Sequence, residues 1–149
     1  RRTNFFDNST GSNYFYVHSA IEKNIGKIIS IVKLEGMIDG ENQDLGSKIA
    51  MHIAASNPLA IEKEGIDKTI VDKELEIIKA EIINSGKPAE IAEKISKGKI
   101  TKFLNDNSLL NQLWIMDPKK KVSEILKENS SNNQIKILDF VKYKVGEGV

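Results

Sequence analysis

The chain has no cysteine, and this absence removes three classes of chemistry. Disulfide bonds, thiolate metal sites and a cysteine nucleophile all need a thiol. The sequence also has no Gly-x-Ser-x-Gly motif, and its glycine-rich stretches at 36–40 and 146–148 match neither a dinucleotide fingerprint nor a phosphate loop. The sequence therefore gives no support for nucleophilic catalysis or for a nucleotide cofactor, and we expect no cofactor.

Histidine and excess charge of one sign are also scarce. The two histidines, His18 and His52, have no metal-binding partners at the short spacing that a site of this kind needs, so we expect no metal. Lysine and arginine number 22 against 21 aspartates and glutamates, a net charge of +1. This balance counts against a nucleic-acid-binding protein, which would show a concentrated basic excess.

Long apolar runs are absent too, so we expect no membrane span and no signal peptide. We therefore expect a soluble, cytoplasmic protein. With 149 residues the chain is long enough to bury a substantial core in one compact domain. Because it begins with Arg1 and not with methionine, we expect it to be a fragment or a processed product.

Three segments have the composition of β-strands. Residues 14–18 are aromatic and β-branched, and residues 27–34 are rich in isoleucine and valine. The intervening Asn24-Ile25-Gly26 turn predicts that these two strands pair as a hairpin with a medium-length loop. Alternation of apolar and polar residues within 135–145 predicts a third, half-buried strand.

The spacing of apolar residues predicts four helices. Asp44 and Asp67 are placed to cap helices that end near Ser56 and near residues 84–86. Pro88 marks the start of a third helix and Asp117 the start of a fourth. We expect the third and fourth helices to return antiparallel, as a helical hairpin over residues 87–127.

The resulting order of elements predicts an α+β protein. We expect a small antiparallel sheet covered by helices, with residues 1–86 and 128–149 in the core and the helical hairpin 87–127 inserted. The apolar loop 108–116, which contains Trp114, either packs between the hairpin arms or contacts another molecule, and the sequence favours neither. We interpret the lysine run 119–121 as a solvated charge run.

His52 lies one position off the apolar face formed by Leu45, Ile49 and Ile53. A histidine at such a boundary is either a structural side chain or a contact to a partner. Spacing alone favours the structural interpretation.

Several blocks of sequence resemble one known family, the bacterial translation elongation factor Ts. The segment 49–58, IAMHIAASNP, is similar to a typical segment of that family. Further similar blocks cover nearly the whole chain in the same order: Val17-His18 with Ile25-Gly26, 85–88 with Ile91 and Ile95, Lys102-Phe103, 108–112, Asp117-Pro118 with Val122, and 140–148.

The resemblance implies a guanine-nucleotide exchange factor for the GTPase elongation factor Tu. Such a factor binds the GDP form, disturbs its magnesium and phosphate contacts, and lets GDP leave so that GTP enters. It holds the nucleotide-free partner more tightly than the nucleotide-bound one, and nucleotide binding in turn expels it. No covalent bond is made, so the resemblance implies a binding protein and not an enzyme.

Carried over by position, the resemblance implies that Ile25 and Gly26 form a partner-contacting turn. It implies that His52 presses on the GTPase near its nucleotide-binding elements, and we expect His18 and Met51, from the same blocks, in this contact. The helical hairpin resembles the family's coiled-coil arm. The core resembles its dimerisation-type subdomain, so we keep a homodimer as an expectation.

The chain also departs from the family pattern. We expect neither the amino-terminal helical domain nor the core subdomain with the Thr-Asp-Phe motif in this sequence. Asp139-Phe140 is not that motif, because no threonine precedes it and it lies in the last predicted strand. Gln112-Leu113 stands where many relatives have Gln-Pro. We therefore expect the carboxy-terminal part of the factor, with reduced exchange activity. The alternatives are an oligomerisation or protein-interaction module without exchange activity, a nucleic-acid-binding module, and an enzyme that uses His18 and His52.

Overall fold

The computed structural model describes residues 3–7, 9–36, 44–86, 88–130 and 134–147, and for residues 89 and 90 the backbone alone. Arg1, residues 37–40 and Gly148, which the sequence singled out, lie outside the described residues. The described part contains these helices and strands: β1 Ser12–Glu22, β2 Ile25–Glu35, α1 Leu45–Ser56, α2 Lys68–Asn84, α3 Ala89–Asn107, β3 Leu113–Trp114, β4 Asp117–Lys121, α4 Val122–Glu128 and β5 Lys136–Lys144. The predicted α+β class is confirmed. No helix in these ranges is long and apolar enough to cross a membrane.

The chain divides into two compact units. The first combines Arg1–Asn57 with Leu113–Val149, and the second is Pro58–Gln112. The first unit therefore holds all five described strands with α1 and α4, and the second holds α2 and α3. These limits differ from the predicted core, 1–86 with 128–149, and from the predicted insertion 87–127. The dimerisation-type character of the core stays a prediction.

The sheet of the first unit is antiparallel, with strand order β1-β2-β5. In its middle, Val32 pairs with Tyr14 on one side and with Phe140 on the other. The predicted pairing of the first two strands is confirmed, but their connection is a two-residue turn, Lys23 and Asn24, and not a medium-length loop. Asn24 adopts the left-handed conformation, with φ of 62°, which asparagine tolerates better than most residues.

Helix α1 packs on this sheet as its apolar spacing predicts. The side chains of Ile49 and Ile53 are completely buried, and Gly46 lies so close to the Tyr14 ring that a Cβ atom would overlap it. The hydroxyl of the buried Ser30, on β2, donates a hydrogen bond of 2.6 Å to the Ala50 carbonyl. Close backbone approach and this buried bond fix the helix against the central strand.

The carboxy-terminal end of α1 is also tied to the sheet. Asn57, the residue that ends the helix, has a left-handed backbone with φ of 49°. Its side-chain oxygen accepts a hydrogen bond of 2.9 Å from Lys142 Nζ on β5. Burial lowers the pKa of Lys142, although Glu147 acts in the opposite direction. A cation at the end of a helix also interacts favourably with the helix dipole.

The second unit contains an antiparallel helix pair. Asp67 caps α2 as predicted, since its carboxylate accepts a hydrogen bond of 2.7 Å from the Thr69 main-chain N–H. Ile78 and Ile82 of α2 are buried, and Glu81 forms an ion pair with Lys99 of α3. The helical hairpin is therefore made by α2 with α3.

The prediction of a helix from Asp117 is wrong. Residues 117–121 form strand β4, which pairs with β3, and helix α4 begins only at Val122. Three lysines in a first helical turn would oppose the helix dipole. The helix instead begins after them, where the Glu124 carboxylate accepts a hydrogen bond of 2.6 Å from the Lys121 main-chain N–H.

We expect the substitution Gly46→Ala to lower the free energy of unfolding, because the added Cβ would overlap the Tyr14 ring. Overpacking of this kind costs about 1–3 kcal/mol. Urea denaturation followed by circular dichroism measures the change. Gly98→Ala in α3 is the matched control, since nothing lies within 4 Å of its added Cβ. It should gain up to about 1 kcal/mol from better helix propensity. Equal effects in both variants would contradict the packing described here.

Candidate partner-binding site

The tip of the β1–β2 hairpin exposes two isoleucines. Ile21 is 73% exposed and Ile25 is 54% exposed. Ala20 pairs with Gly26 and Glu22 pairs with Ile25, which leaves Ile21 as the extra residue of a β-bulge. Ser19, two residues before it, has a left-handed backbone with φ of 51°. The bulge therefore takes Ile21 out of the strand pairing and leaves it at the tip beside Ile25.

Gly26 allows the two strands to come close together at this tip. A Cβ atom at Gly26 would lie 2.5 Å from Val17 Cγ1 and 2.7 Å from the His18 carbonyl oxygen. Any other residue would push β1 and β2 apart and change the position of Ile25. The close packing explains why a glycine stands at position 26. The role of Gly26 as a partner contact stays a prediction.

His18 lies on the surface of β1, close to the same tip. Its Nδ1 is 3.2 Å from the Tyr16 hydroxyl oxygen, and the two rings are tilted by 38° with their centroids 6.1 Å apart. The side chain is exposed, so it is accessible to a partner that covers the tip.

His52 is in a different setting, because it is completely buried. Its ring stacks on Trp114 with centroids 5.3 Å apart and planes inclined by 19°. The main-chain N–H of Ile115 donates a hydrogen bond of 3.4 Å to His52 Nδ1, which is thus the acceptor nitrogen of the ring. The histidine ties helix α1 to the β3–β4 hairpin.

The five predicted contact residues therefore differ in accessibility. Ile25 and His18 are exposed, Gly26 and Met51 are half-buried, and His52 has no exposed surface. Because His52 is completely buried, a direct contact with a partner would first require neighbouring residues to move. Burial of His52 agrees with the structural interpretation that its spacing favoured.

The apolar segment around Trp114 is divided between core and surface. Trp114 itself is buried against His52, whereas Leu113 and Met116 are exposed. The sequence left open whether this segment packs within the chain or contacts another molecule. Trp114 packs within the chain, whereas Leu113 and Met116 are accessible to another molecule.

The lysine run is partly neutralised within the chain. Lys120 Nζ donates hydrogen bonds of 2.8 and 2.7 Å to the two carboxylate oxygens of Glu128, and this interaction raises the pKa of Lys120. The Lys119 main-chain N–H bonds to Asp117 Oδ1 at 3.2 Å. Lys119 and Lys121 are exposed, in agreement with a solvated charge run.

Within the described ranges, no three histidine, cysteine, aspartate or glutamate side chains are grouped so that they could hold a metal ion. The second unit has an open groove of about 320 Å³, with a mixed charged and apolar lining: Glu74, Ile78, Glu81, Lys99, Lys102, Phe103 and Asp106. That groove offers neither a histidine nor a serine as a catalytic group.

The described residues thus form an α+β domain with an exposed hairpin tip, held by a bulge and by a closely packed glycine. Comparison with known proteins identifies the family. Residues 1–147 match the family model described as Elongation factor TS. The chain belongs to the elongation factor Ts family.

Individual relatives agree with this assignment. The elongation factor Ts of Rhizorhabdus wittichii is 36% identical, and the alignment covers 100% of this chain and 50% of the relative. That of Clostridium acetobutylicum is 37% identical over 100% of this chain and 48% of the relative. That of Ehrlichia chaffeensis is 45% identical over 68% of this chain and 36% of the relative. The chain spans about half the length of the curated relatives that match all of it.

We expect His52→Ala to lower the free energy of unfolding by about 2–4 kcal/mol, because it removes a buried ring and leaves the Ile115 N–H without its acceptor. Urea denaturation followed by the fluorescence of Trp114, the single tryptophan, reports on the ring stack directly. His18→Ala is the control, and a change at this exposed site should stay within about 0.5 kcal/mol. A stable His52→Ala variant would contradict the structural role.

Proposed function

We propose that this chain binds elongation factor Tu, in its GDP-bound and nucleotide-free forms, and accelerates GDP release during translation elongation. The observation that carries the proposal is the family match over residues 1–147, and relatives named elongation factor Ts support it. The site of action is the cytoplasm, where translation takes place. The chain contributes binding energy and makes no covalent bond, so it acts as an exchange factor and not as an enzyme.

Exchange of this kind depends on a difference between two affinities. A factor that prefers the nucleotide-free GTPase lowers the affinity of that GTPase for GDP by the same ratio, since the coupling between two ligands is reciprocal. Typical coupling free energies are about 1–3 kcal/mol, which corresponds to roughly 5–150-fold in affinity. The factor must therefore place a preformed surface against the part of the partner that changes when GDP leaves.

The β1–β2 tip is the surface that fits this requirement best. Its isoleucines, Ile21 and Ile25, are apolar and exposed, and Gly26 keeps the strands in close contact beneath them. His18 and Met51 complete the proposed contact, since both retain exposed surface. We propose that His52 acts indirectly, because its ring holds the β3–β4 hairpin through the stack on Trp114 and the hydrogen bond from Ile115.

The helix pair α2–α3 is the counterpart of the coiled-coil arm that the resemblance implies. Helix α2 has 17 residues, which gives an arm of roughly 25 Å at a rise of 1.5 Å per residue. Ile83, near the end of this arm, is 77% exposed. We propose that the arm 68–107 touches the GTPase domain, in place of the predicted hairpin 87–127.

The proposal predicts faster release of a fluorescent GDP analogue from elongation factor Tu when this chain is added. Ile25→Ser should reduce the acceleration by roughly five-fold or more, because it removes a central apolar contact. Leu138→Ser is the matched control, an exposed aliphatic residue on β5 near the opposite end of the sheet. Stopped-flow fluorescence measures the release rate, and we expect the control to stay within about two-fold of the unsubstituted chain.

Two results would count against this function. Absence of both acceleration and binding, the latter measured by calorimetry, would contradict the proposal for this chain. Binding without acceleration would contradict exchange and would retain only the interaction with elongation factor Tu.

The alternative is an oligomerisation module, and one surface favours it. Ser30 faces α1, so its neighbour Ile31 points to the opposite side of the sheet. Ile31 pairs with Phe15 and Val141, and Phe15 is 55% exposed. A second copy of the chain could cover this apolar row. A concentration-dependent mass in sedimentation, with no effect on GDP release, would favour the alternative.

A further inference from the structure

Gly98 lies in the middle of helix α3, where a glycine weakens the helix. Glycine loses more conformational freedom on folding than alanine does, and the difference corresponds to a roughly four-fold change in the helix equilibrium. Packing does not require the glycine, because no described atom beyond its neighbours in the helix lies within 4 Å of an added Cβ. Its backbone is not left-handed either. The glycine therefore weakens the centre of α3 without a compensating contact in the folded chain.

The packing of the helix pair differs on the two sides of this glycine. We refer to residues 83–86 and 88–98 as the distal part of the arm. Ile78 and Ile82 of α2, which precede it, are buried, whereas no described side chain of the distal part is buried. Ile83 is even 77% exposed. Opening the distal part therefore exposes little additional apolar surface, and local opening is easiest where few apolar contacts are lost.

The carboxy-terminal end of α3, in contrast, is anchored through the main chain. The Leu59 N–H donates a hydrogen bond of 2.9 Å to the Asn107 carbonyl, and the Leu109 N–H donates one of 2.9 Å to the Ala60 carbonyl. Ser108 and Leu109, which follow the helix, are completely buried. Breaking hydrogen bonds at buried residues is costly, because the freed groups have no water to replace their partners. This half of α3 is therefore the harder one to open.

The amino-terminal end of α3 has weaker attachments. Pro88, which precedes the helix, has no side-chain oxygen that could accept hydrogen bonds from the first-turn N–H groups. Glu93 and Lys97 form an ion pair of 2.7 Å, but both side chains are exposed, and exposed pairs contribute little to stability. The ion pair between Glu81 and Lys99 lies outside the distal part. The distal part thus depends mainly on its own helical hydrogen bonds.

We propose that Gly98 is the boundary at which the distal part of the arm opens as one unit, while the anchored half of α3 stays folded. Three observations carry this inference: a helix weakened at one residue, buried packing on one side of it only, and an anchor at the far end. An arm that opens in this way changes the direction of its tip and keeps its base. The inference concerns the free chain, so its test does not depend on the proposed function.

Amide hydrogen exchange of the full chain, followed residue by residue by NMR, tests the proposal. After correction for intrinsic rates, amides 92–98 should exchange at least roughly ten-fold faster than amides 100–107. Gly98→Ala should slow exchange at 92–98 by roughly four-fold, because alanine favours the helix by that factor. Asp106→Ala is the matched control, since it gives a similar gain in helix propensity at an exposed position of the anchored half. It should leave exchange at 92–98 unchanged.

Four results would overturn the inference. Equal protection at 92–98 and 100–107 would show that α3 has no separate distal unit. An even decline in protection from residue 107 to residue 92 would show ordinary fraying from the tip. Slower exchange along all of α3 in both variants would show that the helix opens as a whole. Unchanged exchange at 92–98 in Gly98→Ala would show that Gly98 is not the boundary.

Discussion

Helix α1 is buried on two of its faces, and the candidate site depends on both. Gly46 and Ala50, one helical turn apart, face the sheet, where they meet the Tyr14 ring and the Ser30 hydroxyl. His52 follows Gly46 by six residues, which places it about 240° further round the helix, and it stacks on Trp114. The same helix therefore connects the sheet that carries the β1–β2 tip with the β3–β4 hairpin.

Under the proposed function, the buried histidine contributes to binding without any contact to the partner. The ring of His52 supports the β3–β4 hairpin through a stacking contact and a hydrogen bond. At the sheet, Gly26 and the bulge at Ile21 set the position of the exposed isoleucines. Under the proposed function both surfaces are ordered before the partner arrives, and this lowers the entropic cost of association. The affinity needed to favour the nucleotide-free GTPase would then come from apolar contacts and not from a charged or catalytic group.

Local sequence patterns predicted most of the fold and less of the site. Helices α1, α2 and α3 and the three long strands follow from apolar spacing and from the Asp67 cap, which are properties of neighbouring residues. Strand β4 could not be predicted in this way, because its conformation depends on pairing with β3, and the error also misassigned the helical hairpin. The contact of His52 with Trp114 joins residues far apart in the sequence, and no local pattern encodes it. The bulge that exposes Ile21 depends similarly on the register between β1 and β2.

The central proposal is that the β1–β2 tip forms a partner-binding surface of the first unit. Hydrogen–deuterium exchange of the chain, alone and with nucleotide-free elongation factor Tu, tests this claim most directly. The account predicts slower exchange at residues 20–27 in the complex. Protection confined to α2 and α3, or no change in any part of the chain, would contradict it.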